Sequence, residues 1–164
     1  MSSDLAGAAR DDAQALIGGF HHVGVQTAEL DNSIRWYQEF FGCEVSWTLE
    51  QFSELSHSRL PGITRLAELK AGSLRFHLFN VDPETRSTVP AKAEQFQHLC
   101  LQAASPDALV QWRDKWMRLY RSGRFTFARD EPASGIDTDP DGMQSFYAFD
   151  VNGLEYEFSF FPGE

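Results

Sequence analysis

HVGVQTAELDNSIRWYQEFF (22–41) and HLCLQAASPDALVQWRDKWM (98–117) are two versions of one pattern, and their likeness decides the fold. Set one above the other, they match His22 with His98, Gln26 with Gln102, Asp31 with Asp107, Ile34 with Val110, Trp36 with Trp112 and Phe40 with Trp116. Self-similarity at a fixed spacing marks a supersecondary unit used twice. Each copy opens with the alternation of a strand, crosses a short polar turn and continues with the apolar spacing of an amphipathic helix. Asp31 is placed to cap the first helix, and Ser105 with Pro106 suits the N-cap and first position of the second. Gly42 follows the last apolar residue of the first helix, where a C′ glycine is favoured. The apolar stripes are Ile34, Tyr37 and Phe41 in one helix, and Leu109, Trp112, Trp116 and Leu119 in the other.

Three strand-like runs follow each helix. They are CEVSWTL (43–49), TRLAELKAG (64–72) and LRFHLFN (74–80), then RFTFAR (124–129), QSFYAFD (144–150) and LEYEFSFF (154–161). KAGS (70–73) and DVNGL (150–154) carry the glycines that tight hairpin turns require. The last strands align too, with Leu74 over Leu154, Phe76 over Tyr156 and His77 over Glu157. The chain therefore reads as α+β: two tandem β-α-β-β-β modules forming a cupped mixed sheet with helices on the outer face. A flexible arm is expected over 1–18, the first module over 19–82, a linker over 83–95 and the second module over 96–163, all within one domain.

Composition narrows the function. With 164 residues, 42% hydrophobic and 13% aromatic, the chain can bury a core. A net charge of −10 argues against nucleic acid or an anionic membrane as partner, since phosphates are bound by basic side chains. No apolar run approaches the roughly 18 residues of a membrane span, and a cytoplasmic location is expected. Two cysteines, Cys43 and Cys100, are too few for a disulfide framework and are expected as reduced thiols. There is no glycine-rich phosphate loop and no nucleophile elbow. DTDPDG (137–142) imitates the start of a calcium loop, but Ala148 stands where the bidentate Glu is needed.

The repeat singles out four positions: His22 and His98 on the first strands, His77 and Glu157 on the last. Alternation puts Gly24 and Gln26 on the face of His22, Cys100 and Gln102 on that of His98, and Ser159 on that of Glu157. His21 falls over Gln97 and is expected on the apolar side or at an edge, with a structural role. Three imidazoles and a carboxylate form a ligand set for a first-row divalent metal: iron(II), manganese, nickel, cobalt or zinc. Gln26, Gln102 and Ser159 would add polar groups to the cup, with walls from Trp47, Phe79, Phe125, Phe127 and Phe146 according to their facing. The loops 52–64 and 130–142 are candidate covers of its mouth.

HVGVQTAELDNSIRWYQEFFG (22–42) and FDVNGLEYEF (149–158) resemble the opening and closing motifs of the vicinal oxygen chelate superfamily, also called the glyoxalase/bleomycin-resistance/dioxygenase fold. The resemblance spans residues 19–162. It implies paired modules whose first and last strands supply the metal ligands, here His22, His77, His98 and Glu157. The family's usual Pro and Asn in the closing turn are Val151 and Leu154. His77 stands where glyoxalases usually carry Glu and methylmalonyl epimerases Gln. The family logic is a metal that chelates two vicinal substrate oxygens. An oxygenase would hold iron(II) by His22, His98 and Glu157, with His77 as a fourth ligand, and act on an aromatic or enol-bearing molecule. A glyoxalase- or epimerase-like lyase or isomerase would instead use Glu157 for proton transfer, with His77 the other catalytic candidate. An antibiotic-binding protein is a third alternative. A homodimer is expected, with the site either inside one chain or shared across the pair.

Overall fold

The computed structural model describes residues 18–86 and 93–163. Most of the arm expected over 1–18 and part of the 83–95 linker lie outside the described residues. The first module runs β1 (Val23–Thr27), α1 (Leu30–Phe41), β2 (Glu44–Leu49), a short α2 (Glu54–Arg59), β3 (Ile63–Ala71) and β4 (Leu74–Val81). The second runs β5 (Leu99–Gln102), α3 (Pro106–Arg121), β6 (Asp137–Thr138), β7 (Gln144–Phe149) and β8 (Glu155–Phe160). Each module folds its strands into one four-stranded mixed sheet, ordered β1-β4-β3-β2 and β5-β8-β7-β6. The repeat extends to the register: Gly24 pairs with His77 across parallel β1 and β4, and Cys100 pairs with Glu157 across parallel β5 and β8.

Two features of the helices follow the sequence closely. Ser105 caps α3, its hydroxyl accepting from the Ala108 N–H at 3.0 Å, and Gly42 ends α1 in the left-handed region with φ 71°. The start of α1 differs from the expectation. The helix begins at Leu30, so Asp31 sits in its first turn rather than at the cap. The Leu30 N–H is satisfied from another element, by Asn80 Oδ1 on β4 at 3.2 Å. Asp31 retains a favourable place near the positive end of the helix.

The buried face of α1 is broader than the stripe read from the sequence, taking in Trp36 and Phe40 beside Tyr37 and Phe41. The reason is that α1 packs against both modules. Phe40 meets Trp112 of α3 at 5.2 Å and Phe158 of β8 at 5.8 Å between ring centroids, so a single apolar cluster runs through the two halves.

A buried polar knot adds direction to this contact. Tyr37 Oη donates to Asp150 Oδ2 at 2.8 Å and leaves its lone pair for Tyr156 Oη, also at 2.8 Å. Asp150 Oδ1 accepts from the N–H groups of Asn152 and Leu154, each at 2.9 Å. Ser33 of α1 donates to Asn152 Oδ1 at 3.0 Å. The β7–β8 turn, which launches the strand carrying Glu157, is thus fixed to a helix of the other module.

RFTFAR (124–129) is not a strand. The outer strand of the second sheet is the two-residue β6, further along the chain. The amide of Asn32 replaces a strand partner for this segment, donating to Thr126 O at 2.9 Å and accepting from Thr126 N at 3.1 Å. The loop 130–142 therefore contains β6, and the loop 52–64 contains α2, capped by Ser53.

Candidate functional site

His22 immediately precedes β1, and His77 lies mid-way along β4, where strand alternation carries both to the polar face of the first sheet. Their rings stack with centroids 3.7 Å apart and planes 13° off parallel. Trp47 of β2 stands edge-on to His77 at 5.2 Å, and Phe79 lies 6.2 Å from the same ring. Gln26 shares this face and is exposed. In the second sheet His98 Nε2 is 2.7 Å from Glu157 Oε2. Ser159, fully buried, donates to the other oxygen, Glu157 Oε1, at 2.8 Å. Gln102 is paired in register with Ser159, at the exposed end of β5.

The four positions thus form two pairs, His22 with His77 and His98 with Glu157. Among the described residues the one group of three or more side chains with ligand atoms within 4.8 Å of each other is His21, His22 and His77. The two modules nevertheless open on common space. A cavity of about 460 Å³ is lined by both His22 and His98, with Phe20, Phe96, Leu154 and Tyr156 giving it an apolar wall. Phe20 and Phe96 are themselves repeat mates, each two residues before its histidine.

Phe127 and Phe146 are not in the cup. Phe127 packs among Trp36, Trp116 and Tyr120 on the helix side, and Phe146 stacks on Phe158 in the core. Phe146 faces the core because it is paired in register with Phe158 on the apolar face of the sheet, and Phe127 lies outside any strand. Cys43 is buried, which pushes its thiol up to about 12 and leaves it inert.

Two residues join the site that alternation did not assign to it. His22 adjoins β1 and keeps its period, whereas His21 is two residues ahead of the strand and departs from it, its Nδ1 coming within 2.8 Å of His22 Nδ1. Arg75 also reaches His21 Nε2. A guanidinium only donates, so His21 Nε2 accepts and the ring's proton sits on Nδ1, directed at the lone pair of His22. The second is Glu68 of β3, 2% exposed, whose Oε2 lies 2.9 Å from His77 Nε2 and whose Oε1 lies 3.0 Å from Lys70 Nζ. Its signal was present in the hairpin. With Ala71 paired to Leu74 across the turn, counting outward sets Glu68 opposite His77. In the second sheet the equivalent partner of Glu157 is Tyr147.

These contacts set the protonation of the site. Burial works against the charge on Glu68, but hydrogen bonds from His77 and Lys70 and the charges of Lys70 and Arg75 prevail and hold its carboxyl at about 2. Burial, then the neighbouring His77 and His21, lower the His22 pKa, with Glu68 pulling the other way. Burial and the nearby Glu157 raise the Tyr147 phenol. Imidazole nitrogens and a carboxylate oxygen are donors that first-row divalent metals accept. The donor set of His22, His77, His98 and Glu157 fits such an ion by its chemistry.

Residues 19–158 match the family model of the Glyoxalase/Bleomycin resistance protein/Dioxygenase superfamily, and the chain belongs to that family. Solved structures agree on the fold. The glyoxylase/bleomycin resistance protein/dioxygenase domain from Frankia sp. EAN1pec is 17% identical, with 90% of this chain and 96% of that one covered and a TM-score of 0.65. Lactoylglutathione lyase from Agrobacterium tumefaciens is 19% identical over 88% of this chain and 95% of that one, with a TM-score of 0.55. The fosfomycin resistance protein FosX from Listeria monocytogenes, in complex with Mn(II) and sulfate, is 12% identical over 90% and 96%, with a TM-score of 0.54. No curated protein matches the chain in sequence. Among the described residues no helix is long and apolar enough to cross a membrane.

Proposed function

We propose that the protein is a divalent-metal-dependent oxygenase acting on an aromatic or enol-bearing small molecule bound through two adjacent oxygens. His22, His77, His98 and Glu157 hold the metal, with iron(II) as the favoured ion. Such an ion supplies Lewis-acid chemistry and, as iron, one-electron redox chemistry. The observation that carries this reading is the way Glu157 is held. One carboxylate oxygen is bonded to His98 and the other to Ser159, which suits a fixed ligand and not a base that must swing to carry a proton. Glu68, beside this set, is likewise engaged at both oxygens, so neither Glu157 nor Glu68 is left free as a shuttle. The apolar wall beside His22 and His98 suits a flat hydrophobic substrate, with Trp47, Gln26 and Gln102 bordering the cup.

The test is metal analysis of protein purified without chelator or affinity tag, together with oxygen uptake on a panel of catechols and enols. Iron at near one per chain, lost in Glu157→Ala, with oxygen consumed on turnover, is the expected result. Turnover with nickel or zinc that ignores oxygen would transfer the assignment to a lyase or isomerase with Glu157 moving the proton. A protein that takes up no metal would leave the cup as a binding site.

A further inference from the structure

We propose that Glu68 is the positioning residue of this site. It fixes the ring of His77 so that Nδ1, and not Nε2, is presented to the metal. The inference rests on the reading of His77 as a ligand given above, and its test separates the two.

A buried ionised carboxylate with an imidazole nitrogen 2.9 Å away takes the proton of that nitrogen into its hydrogen bond, so His77 Nε2 carries hydrogen and faces Glu68. A neutral imidazole then has one lone pair left, on Nδ1, and His77 is one of three histidines, with His21 and His22, that bring ligand atoms within 4.8 Å of one another. Glu68 itself is absent from that gathering. Its two oxygens are engaged by His77 and by Lys70, with Arg75 Nε at 3.9 Å. These cations hold the carboxylate in place and compensate its charge, so that it anchors one ring without competing for the metal. The hairpin fixes the arrangement further, because Glu68 and His77 face each other across β3 and β4 in an unbroken stretch of register. The second module has no such carboxylate, since Tyr147 occupies the corresponding place opposite Glu157. The ring that needs orienting and the group that orients it therefore occur together, in the module whose last-strand position is a histidine. Groups that orient a ligating imidazole in this way change metal affinity by about 10- to 100-fold when removed.

The experiment uses the full chain, as wild type, Glu68→Gln and Glu68→Ala, with His77→Ala as reference. Cobalt(II) binding to metal-free protein is followed by its visible absorption, and the ring nitrogens of His77 are followed by nitrogen NMR without metal, at a pH where the ring is neutral. The expected result is a wild-type His77 protonated at Nε2 and a mixture of tautomers in Glu68→Ala. Cobalt affinity should fall about 10- to 100-fold in Glu68→Ala and by less in Glu68→Gln, with unchanged band positions. A purely structural Glu68 would lower the melting temperature and leave ring nitrogens and affinity where they were, which overturns the proposal. A band shift marking a lost oxygen donor would make Glu68 a ligand and overturn it as well. Wild-type protein that binds no cobalt overturns the metal reading itself, whereas normal uptake unchanged in both variants overturns only the role of Glu68.

Discussion

At the scale of single residues, His22 carries a consequence for stability. Its pKa is lowered from 6.5 by burial and by the charges of His77 and His21, so the folded metal-free protein releases this proton more readily than the unfolded chain does. Between the folded value and 6.5 the unfolded state binds more protons, and stability therefore rises with pH through that window and levels off above it. Chemical unfolding of metal-free wild type and His22→Gln from about pH 5 to 8 should show this slope in the first and its loss in the second. A wild-type slope retained in the variant would assign it to another group. This same corner of the molecule marks how far sequence reasoning reaches. Comparing the two copies was enough to single out His22, His77, His98 and Glu157, since each has a mate. Alternation aims His21 away from the site because it is carried two residues ahead of β1, where it no longer holds. Glu68 has no mate of its own kind in the second half, where Tyr147 stands instead, so a search by symmetry passes over it.

At the scale of elements, the segment 124–129 shows how a tertiary contact overrides a local pattern. Phe125 and Phe127 alternate with polar neighbours as a half-buried strand would, yet the backbone at Thr126 is bonded to the side chain of Asn32 in α1. Nothing local in RFTFAR announces an amide 94 residues away. By contrast, the hairpins, the Ser105 cap and the Gly42 terminus depend on residues within a few positions of each other, and those were legible. Asn32→Ala should remove both bonds at once. We expect a cost of about 1–2 kcal/mol in chemical unfolding, with faster hydrogen exchange at the Thr126 amide and little change at β7 and β8. Exchange at Thr126 equal to wild type would show that the aromatic packing of Phe127 alone holds the segment.

The whole molecule is held together by the contact of α1 with the second sheet, and the polar knot there should be more costly to break at its centre than at its edge. Tyr37→Phe leaves Asp150 its donors from Asn152 and Leu154 and should cost about 1–2 kcal/mol. Asp150→Ala leaves Tyr37 Oη only Tyr156 and removes the acceptor of the half-buried Asn152 and Leu154 N–H groups at the same time, and should cost about 3 kcal/mol. Equal losses in denaturant titrations would mean that the carboxylate contributes nothing beyond its bond to Tyr37. Because this knot fixes the β8 turn to the first module, it also bears on where the functional site is assembled. The repeat left two arrangements open, one inside each chain and one shared across a dimer. His22 and His98 of the same chain line one cavity, and the knot holds their modules in that relation, so we expect the site to be assembled within each chain even if the chains pair. Mixing His22→Ala with Glu157→Ala, refolded together and assayed for cobalt uptake, decides the matter. A site within one chain lacks a ligand in every molecule of the mixture, and uptake should stay at the level of the separate variants. In a dimer with exchanged modules, one half of a mixed pair would unite intact His22 and His77 with intact His98 and Glu157. Recovered uptake in the mixture alone would therefore place the site between chains.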